Sequence, residues 1–230
     1  KAQEKGRLSP RFYFYLAGAC QGLRQRSQAN EALLSYLKEF PRHARANEAN
    51  LMVARNYWNL GQNEESLRFF QKVSAADLEW YVKAQYYLGR LYEDAKQYDL
   101  ARKNFAQLAA MPTNHEYKET AAWRLAWTYY KAGDYAQSFE KFKGNIDQTP
   151  DGKLTDNNMF WMGKSAKKLA KDDVARQVFT DIHNNYPYSY YGLRAREILL
   201  EQNKEGQAAL GPVLSKKDVA EHPIQLSAEE

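Results

Sequence analysis

The chain has 230 residues, of which 44% are hydrophobic and 27% charged, so it can form a sizeable core and is not a disordered, charge-dominated chain. Its formal net charge of +5 is mild, and ordinary solvated helix faces account for it as well as an acidic partner would. No apolar run approaches the roughly 18 residues that cross a membrane, so no transmembrane segment is predicted.

The first residues, 1–11, are predicted to be an N-terminal extension. They contain neither a starting Met nor an apolar signal core, which indicates a processed or trimmed chain whose targeting signal lies outside the sequence. Cys20 is the single cysteine, which excludes an internal disulfide and a cysteine-based zinc cluster. We expect it to be a small buried helix residue.

From residue 12 to residue 187 one pattern recurs five times. Small residues recur at spacings of 34, 35, 37 and 37, at Ala32, Ser66, Ala101, Ser138 and Ala175. Four residues after each stands a ring: Tyr36, Phe70, Phe105, Phe142 and Phe179. Twelve residues before each lies another small residue: Cys20, Ala54, Gly89, Ala126 and Gly163. The pattern predicts pairs of antiparallel helices in which small residues permit close approach and the rings fill the space beside them.

These repeats resemble the tetratricopeptide repeat (TPR), and "YLGRLYEDAKQYDLARKNF" and "RLAWTYYKAGDYAQSFEKF" are close to its consensus. The resemblance implies an all-α, right-handed superhelical solenoid of about five helix–turn–helix repeats with a C-terminal capping helix. The predicted repeats are 13–46, 47–81, 82–118, 119–155 and 156–187. Residues 188–203 are predicted to be the capping helix, with Ser189 as its N-cap, and 204–230 a tail or linker.

Within this fold the first helix of each pair lines the concave surface, and family geometry directs positions 5, 9 and 12 of each repeat into it. Those positions place aromatic and basic side chains together in a predicted groove: Arg55, Trp58, Tyr86, Arg90, Trp123, Trp127, Tyr130, Phe160, Lys164 and Lys167. A peptide or protein segment could use the rings as anchors, and a glycan could stack on Trp123 and Trp127. Single-stranded nucleic acid is the least favoured ligand because the charge is modest. The alternative is that several of these rings are core residues.

No pattern for catalysis, for a metal or for a cofactor is found. The four histidines, His43, His115, His183 and His222, lie far apart without a second ligand at helical spacing. Phosphate-binding loops, nucleophile elbows and dinucleotide fingerprints do not occur. The sequence therefore predicts neither a metal site nor a cofactor, and this chain is not expected to be an enzyme on its own.

Two segments near the C-terminus, "AAWRLAWTYYKAGDYAQSFEKF" and "NNMFWMGKSAKKLAKDDVARQVFTDIHNNYP", precede "YSYYGLRAREIL". This order resembles the helical region of Slt-type soluble lytic transglycosylases, which implies a periplasmic scaffold for peptidoglycan cleavage. The Glu-Ser and Gly-Leu-Met-Gln motifs of that family's catalytic domain are not reproduced, since the single pair Glu65–Ser66 falls inside a repeat and the second motif does not occur. The alternative hypothesis is a stand-alone TPR adaptor that binds a peptide or protein in envelope assembly.

Overall fold

The computed structural model describes residues 8–203, which form eleven α-helices and no strand. The helices are α1 Pro10–Gly22, α2 Arg26–Glu39, α3 Ala46–Asn59, α4 Asn63–Gln71, α5 Leu78–Asp94, α6 Tyr98–Ala109, α7 Lys118–Lys131, α8 Tyr135–Gln148, α9 Thr155–Lys168, α10 Asp172–Asn185 and α11 Tyr190–Asn203. The predicted all-α helical repeat fold is confirmed. Residues 1–7 of the predicted extension and the predicted tail 204–230 lie outside the described range.

The chain divides into two compact units, Lys1–Ala121 and Ala122–Glu230. In the first unit, buried side chains of α1 to α5 form one continuous core. In the second, a separate core is built from α9, α10 and α11. Cys20 is buried as a free thiol in the first core, as predicted.

The recurring rings form the interior of each helix pair. All five are fully buried, with 0% exposure for Tyr36, Phe70, Phe105, Phe142 and Phe179. A Cβ added to Gly89 would lie 2.7 Å from Cε1 of Phe105, and one added to Gly163 would lie 2.9 Å from Cε1 of Phe179. In these two pairs the small residue and the ring pack against each other, as their spacing predicts.

The turn within each helix pair contains one residue with left-handed backbone geometry. These residues recur at matching places, with φ of 59° at Arg24, 74° at Gly61, 57° at Lys96, 84° at Gly133 and 56° at Ala170. Glycine adopts this conformation without a steric cost, whereas Arg24, Lys96 and Ala170 adopt it at a steric cost. The common backbone shape is therefore set by the packing of the two helices and not by a glycine in every copy.

Serine side chains cap the N-terminal ends of two of the described helices, α1 and α11. Ser9 accepts a hydrogen bond from the backbone N–H of Phe12, and Pro10 follows at the first helical position of α1. At α11 the hydroxyl of Ser189 accepts from the backbone N–H of Gly192 at 2.9 Å. The predicted N-cap at Ser189 is confirmed.

Candidate functional site

Three predicted site residues of the first unit come together on α3 and α5. The guanidinium carbon of Arg55 lies 4.7 Å from the ring centre of Tyr87, and that of Arg90 lies 5.8 Å from the ring centre of Trp58. The two rings meet edge to face, with their centres 6.3 Å apart. Arg55, Tyr87, Trp58 and Arg90 thus form a continuous surface of alternating cations and rings, which we call the Arg–aromatic face.

The charges of this face are not neutralised by a carboxylate. Neither Arg55 nor Arg90 has an ion pair within residues 8–203, and the Nε of Arg90 is buried without a hydrogen-bond partner. Elsewhere in this unit Arg68 pairs with Glu65 at 2.9 Å. The two guanidiniums are instead held against rings, an arrangement that fixes their position while leaving N–H groups for an external acceptor.

Tyr86 does not line a water-facing groove. It is only 7% exposed, stacks on Tyr117 with ring centres 4.5 Å apart, and lies 6.1 Å from the ring of Phe105. Burial raises the pKa of the Tyr117 hydroxyl above its usual value. The prediction that Tyr86 is a groove residue is therefore wrong, because its ring fills space inside the helix pair.

In the second unit three predicted site residues of α7 form an aromatic column. The rings of Trp123 and Trp127 are stacked with centres 5.6 Å apart and planes 14° apart, and Trp127 and Tyr130 are stacked at 5.5 Å and 6°. Trp161 of α9 sets its edge against Trp127 at 4.4 Å and against Tyr130 at 5.1 Å. The Nε1–H of Trp123 donates to the side-chain oxygen of Asn157 at 2.9 Å.

This column reduces the ring surface available for a ligand. The inner faces of the three rings cover one another, and each ring is half-buried. Burial also raises the pKa of the Tyr130 hydroxyl. The column therefore fastens α7 to α9. The rings at its two ends have further neighbours, since Trp123 lies 6.4 Å from Phe142 and Tyr130 lies 5.2 Å from Tyr135, centre to centre.

The remaining predicted residues of the second unit differ in their exposure. Phe160 is 6% exposed and packs against Phe179, so the prediction that it lines a groove is wrong. Lys164 is half-buried, and burial, followed by the charges of Lys167, Lys168 and Arg194, lowers its pKa. Lys167 is exposed. These lysines give the C-terminal end of α9 a positive surface.

Sequence reasoning missed Tyr87 and Trp161, each of which directly follows a position assigned to the groove. Position 5 is buried in three of the four repeats that supply the predicted groove residues, at 4% for Leu51, 7% for Tyr86 and 6% for Phe160. The next residue is half-buried in all three. Two adjacent rings at these positions are the signal in the sequence, but because neighbours on a helix point about 100° apart, only packing decides which one reaches the surface.

Tetratricopeptide-repeat family models match residues 48–78, 83–111 and 158–189. The chain contains tetratricopeptide repeats. The comparison with curated proteins found no match. The TPR fold is a scaffold for protein–protein interaction and is typically non-catalytic.

Solved structures of TPR-type proteins have the same fold. A crystal structure of MamA is similar with a TM-score of 0.61 and 17% identity, over 88% of this chain and 98% of that one. Nearly identical TPR-like repeats of the kinesin light chain type from Podosopora anserina match with a TM-score of 0.61 and 16% identity, over 88% and 100% of the chains. The apo quorum sensor NprR from B. thuringiensis matches with a TM-score of 0.61 and 17% identity, over 87% of this chain and 61% of that one.

Two further properties of the TPR chain bear on its possible ligands. Within residues 8–203, no three His, Cys, Asp or Glu side chains are grouped so that they could hold a metal ion. None of the helices in that range is long and apolar enough to cross a membrane.

Proposed function

We propose that this TPR chain is a protein-binding scaffold whose Arg–aromatic face takes an acidic segment of a partner protein. The observation that carries the proposal is the pair of guanidiniums, Arg55 and Arg90, held against Tyr87 and Trp58 without a carboxylate partner in the described part of the chain.

The chemistry of this face selects carboxylates. A guanidinium offers forked N–H donors that match a carboxylate, and such charge-assisted pairs are stronger than neutral hydrogen bonds. Contact with the rings orients both side chains before binding, so less side-chain entropy is lost when the partner arrives. The rings themselves supply apolar contact for the stems of Asp or Glu and for residues between them.

The test is a selection of peptides from an unbiased dodecapeptide phage library on the immobilised full chain. We expect enrichment of peptides rich in Asp and Glu, and we expect the dissociation constant of a fluorescein-labelled selected peptide to rise at least roughly tenfold in the Arg55→Ala/Arg90→Ala variant. Fluorescence anisotropy at two salt concentrations measures this, and binding should weaken as salt rises.

Arg68→Ala is the matched control, because Arg68 lies in the same unit, is exposed and already pairs with Glu65. It should leave the dissociation constant unchanged. Equal loss in the control and in the double variant, or selected peptides without acidic residues, would contradict the proposal.

A second candidate function is the helical scaffold of a periplasmic lytic transglycosylase, which holds peptidoglycan glycan for an attached enzyme. The motifs of residues 121–199 support it by resemblance, and its proposed ligand surface is the part of the half-buried Trp123–Trp127–Tyr130 column that stays exposed. Lys164 and Lys167 would meet acidic substituents on the sugars or peptides.

Cosedimentation with insoluble peptidoglycan sacculi tests this second candidate. If the chain holds glycan, it should sediment with the sacculi at moderate salt. The sedimented fraction should fall when Tyr130, at the end of the column, is replaced by alanine. The Tyr190→Ala variant, which removes an exposed ring elsewhere in the same unit, is the control. The second candidate function would be excluded if the wild-type chain stayed in the supernatant at both low and moderate salt.

A further inference from the structure

The first helix of a later repeat has one side that faces the repeat before it. Asn56 of α3 donates to Asn30 of α2 at 2.9 Å, and Asn145 of α8 donates to Asn158 of α9 at 3.0 Å. Asn158 stands twelve residues before the left-handed turn residue of its helix pair, and Asn56 stands five residues before its own. These two places therefore mark the side of a first helix that the preceding second helix covers.

On α1 the same side is apolar and exposed. Phe12, twelve residues before the turn residue Arg24, is 43% exposed, and Leu16 is 42% exposed. Ala19, five residues before the turn residue, is also exposed, and Leu8 and Leu23 extend the surface beyond the two ends of the helix. At 3.6 residues per turn these five apolar side chains fall within a strip about 80° wide, which we call the α1 strip. In the later repeats the residues at the place of Phe12 are between 0% and 5% exposed: Ala49, Ala84, Ala121 and Asn158.

The shape of the α1 strip suits a helix. A helix face that stays in water is usually polar, whereas the strip exposes large apolar side chains, as interaction surfaces do. Its spacing of four, four, three and four residues is that of a seam between two helices packed side by side. An amphipathic helix that lies on a membrane buries a wide apolar face, so this narrow strip favours a helix of a protein.

The size of Phe12 distinguishes this seam from the contacts between repeats. The later repeats have alanine or asparagine at its place, which lets the preceding helix approach closely. A phenylalanine ring there holds an occupying helix farther from α1, while Ala19 leaves room for a large side chain of that helix. The occupant therefore packs on α1 in a different way from the second helices of this chain.

The charge at the two ends of the strip specifies the chemistry of the occupant. Arg11, near the start of α1, and Arg24, just after its end, are exposed, and neither has an ion pair within residues 8–203. The sequence has no Asp or Glu between Glu4 and Glu31. A second copy of the chain would bring like charges together, whereas a helix with Asp or Glu beside its apolar seam would neutralise them.

We propose that the α1 strip binds an acidic amphipathic helix of a partner protein. Apolar side chains of that helix pack beside Phe12 and Leu16 and onto Ala19, and its carboxylates bind Arg11 and Arg24. The site goes beyond the proposed function because it lies on the side of α1 that corresponds to repeat stacking, and because it uses other cations than the Arg–aromatic face.

The test is a phage library of helical peptides about 18 residues long, enough to span Leu8 to Leu23. It is selected on the immobilised full chain after subtraction on the Phe12→Ala/Leu16→Ala variant. We expect enrichment of peptides with apolar residues three and four apart and with Asp or Glu beside them. Phe12 and Leu16 are exposed, so the fold of the variant should persist and its circular dichroism should be unchanged.

Fluorescence anisotropy of a labelled selected peptide measures the two contributions separately. Phe12→Ala/Leu16→Ala should raise the dissociation constant at least roughly tenfold through lost apolar contact. Arg11→Gln/Arg24→Gln should raise it roughly fivefold, and only this second effect should shrink as salt rises. An unchanged dissociation constant in either double variant would contradict the proposal.

Two controls separate the α1 strip from other surfaces. Leu100→Ala removes a side chain of similar exposure, 44%, from α6, and Arg55→Ala/Arg90→Ala removes the Arg–aromatic face; neither should change binding of the peptide. If only the latter variant loses binding, the α1 proposal is wrong while the proposed function stands. If the acidic peptides selected for the Arg–aromatic face fail to bind and the helical peptides still bind, the proposed function is wrong and the α1 proposal stands.

The other possible occupants give different results. A concentration-dependent dimer in sedimentation velocity that Phe12→Ala/Leu16→Ala abolishes would mean that a second copy covers the strip. Cosedimentation with vesicles of phosphatidylglycerol and phosphatidylcholine that the same variant abolishes, together with an empty peptide pool, would mean that a membrane covers it. Either result overturns the proposal, as does an empty pool alone.

Discussion

The change Gly163→Ala is expected to destabilise the wild-type protein and to stabilise the Phe179→Ala variant. In the wild type a Cβ at Gly163 would lie 2.9 Å from Cε1 of the fully buried Phe179 ring, closer than carbon atoms pack. Overpacking of this kind costs about 1–3 kcal/mol, which outweighs the gain of about 1 kcal/mol from replacing glycine by alanine in a helix.

Phe179→Ala by itself is expected to cost about 3–5 kcal/mol, because it leaves a cavity beside Gly163 and Phe160. In that background the new methyl group enters empty space, so only the helix preference and the added contact remain. Gly163→Ala should then stabilise by about 1 kcal/mol.

The wild type, Gly163→Ala, Phe179→Ala and the double variant form a double-mutant cycle. Urea unfolding of these four proteins, followed by tryptophan fluorescence, measures the coupling free energy between the two positions. Trp123, Trp127 and Trp161 all lie in the same unit as the mutated pair. A cost of Gly163→Ala that is the same in both backgrounds would show that the glycine and the ring do not meet.

Gly192→Ala is expected to displace α11 at a cost of roughly 3 kcal/mol, at the upper end of the usual overpacking range. The added Cβ would lie 1.8 Å from the carbonyl oxygen of Tyr186 and 2.8 Å from its carbonyl carbon. These are backbone atoms, so no side-chain rotation relieves the clash. Moving α11 would also withdraw the buried Ala195 and Leu199 from the second core.

Hydrogen exchange of residues 190–203, together with the urea midpoint, measures this effect. Protection in α11 should fall more than protection in α8. Gly144→Ala is the matched control, since no heavy atom lies within 4 Å of the position its Cβ would take, and it should stabilise by about 1 kcal/mol. Unchanged protection in α11 would mean that the helix accommodates the methyl group in place.

The helix pairs could be predicted because their signal is local and repeated. A small residue and a ring at fixed spacing recur five times, and Phe105 against Gly89 shows in the structure why the spacing is kept. No repeated pattern in the sequence indicates that residue 192 must be glycine. A side chain is excluded there by the backbone carbonyl oxygen of Tyr186, in the turn that precedes α11.

The candidate sites were predictable only in part. The sequence identified Arg55, Trp58 and Arg90, which do meet, but assigned Tyr86 in place of Tyr87. Both residues are tyrosines on one helix, and one stacks on Tyr117 while the other lies under Arg55. A side chain's environment here depends on neighbours from other helices, which composition and spacing along one helix do not specify.

By itself, the sequence determined the all-α repeat architecture, because periodic small and large residues must pair in order to bury their rings. Only the tertiary structure decided which rings are buried and which rings stack on each other. The physical reason is that burial and contact are made by residues of different helices, and their distances are fixed only when the helices pack.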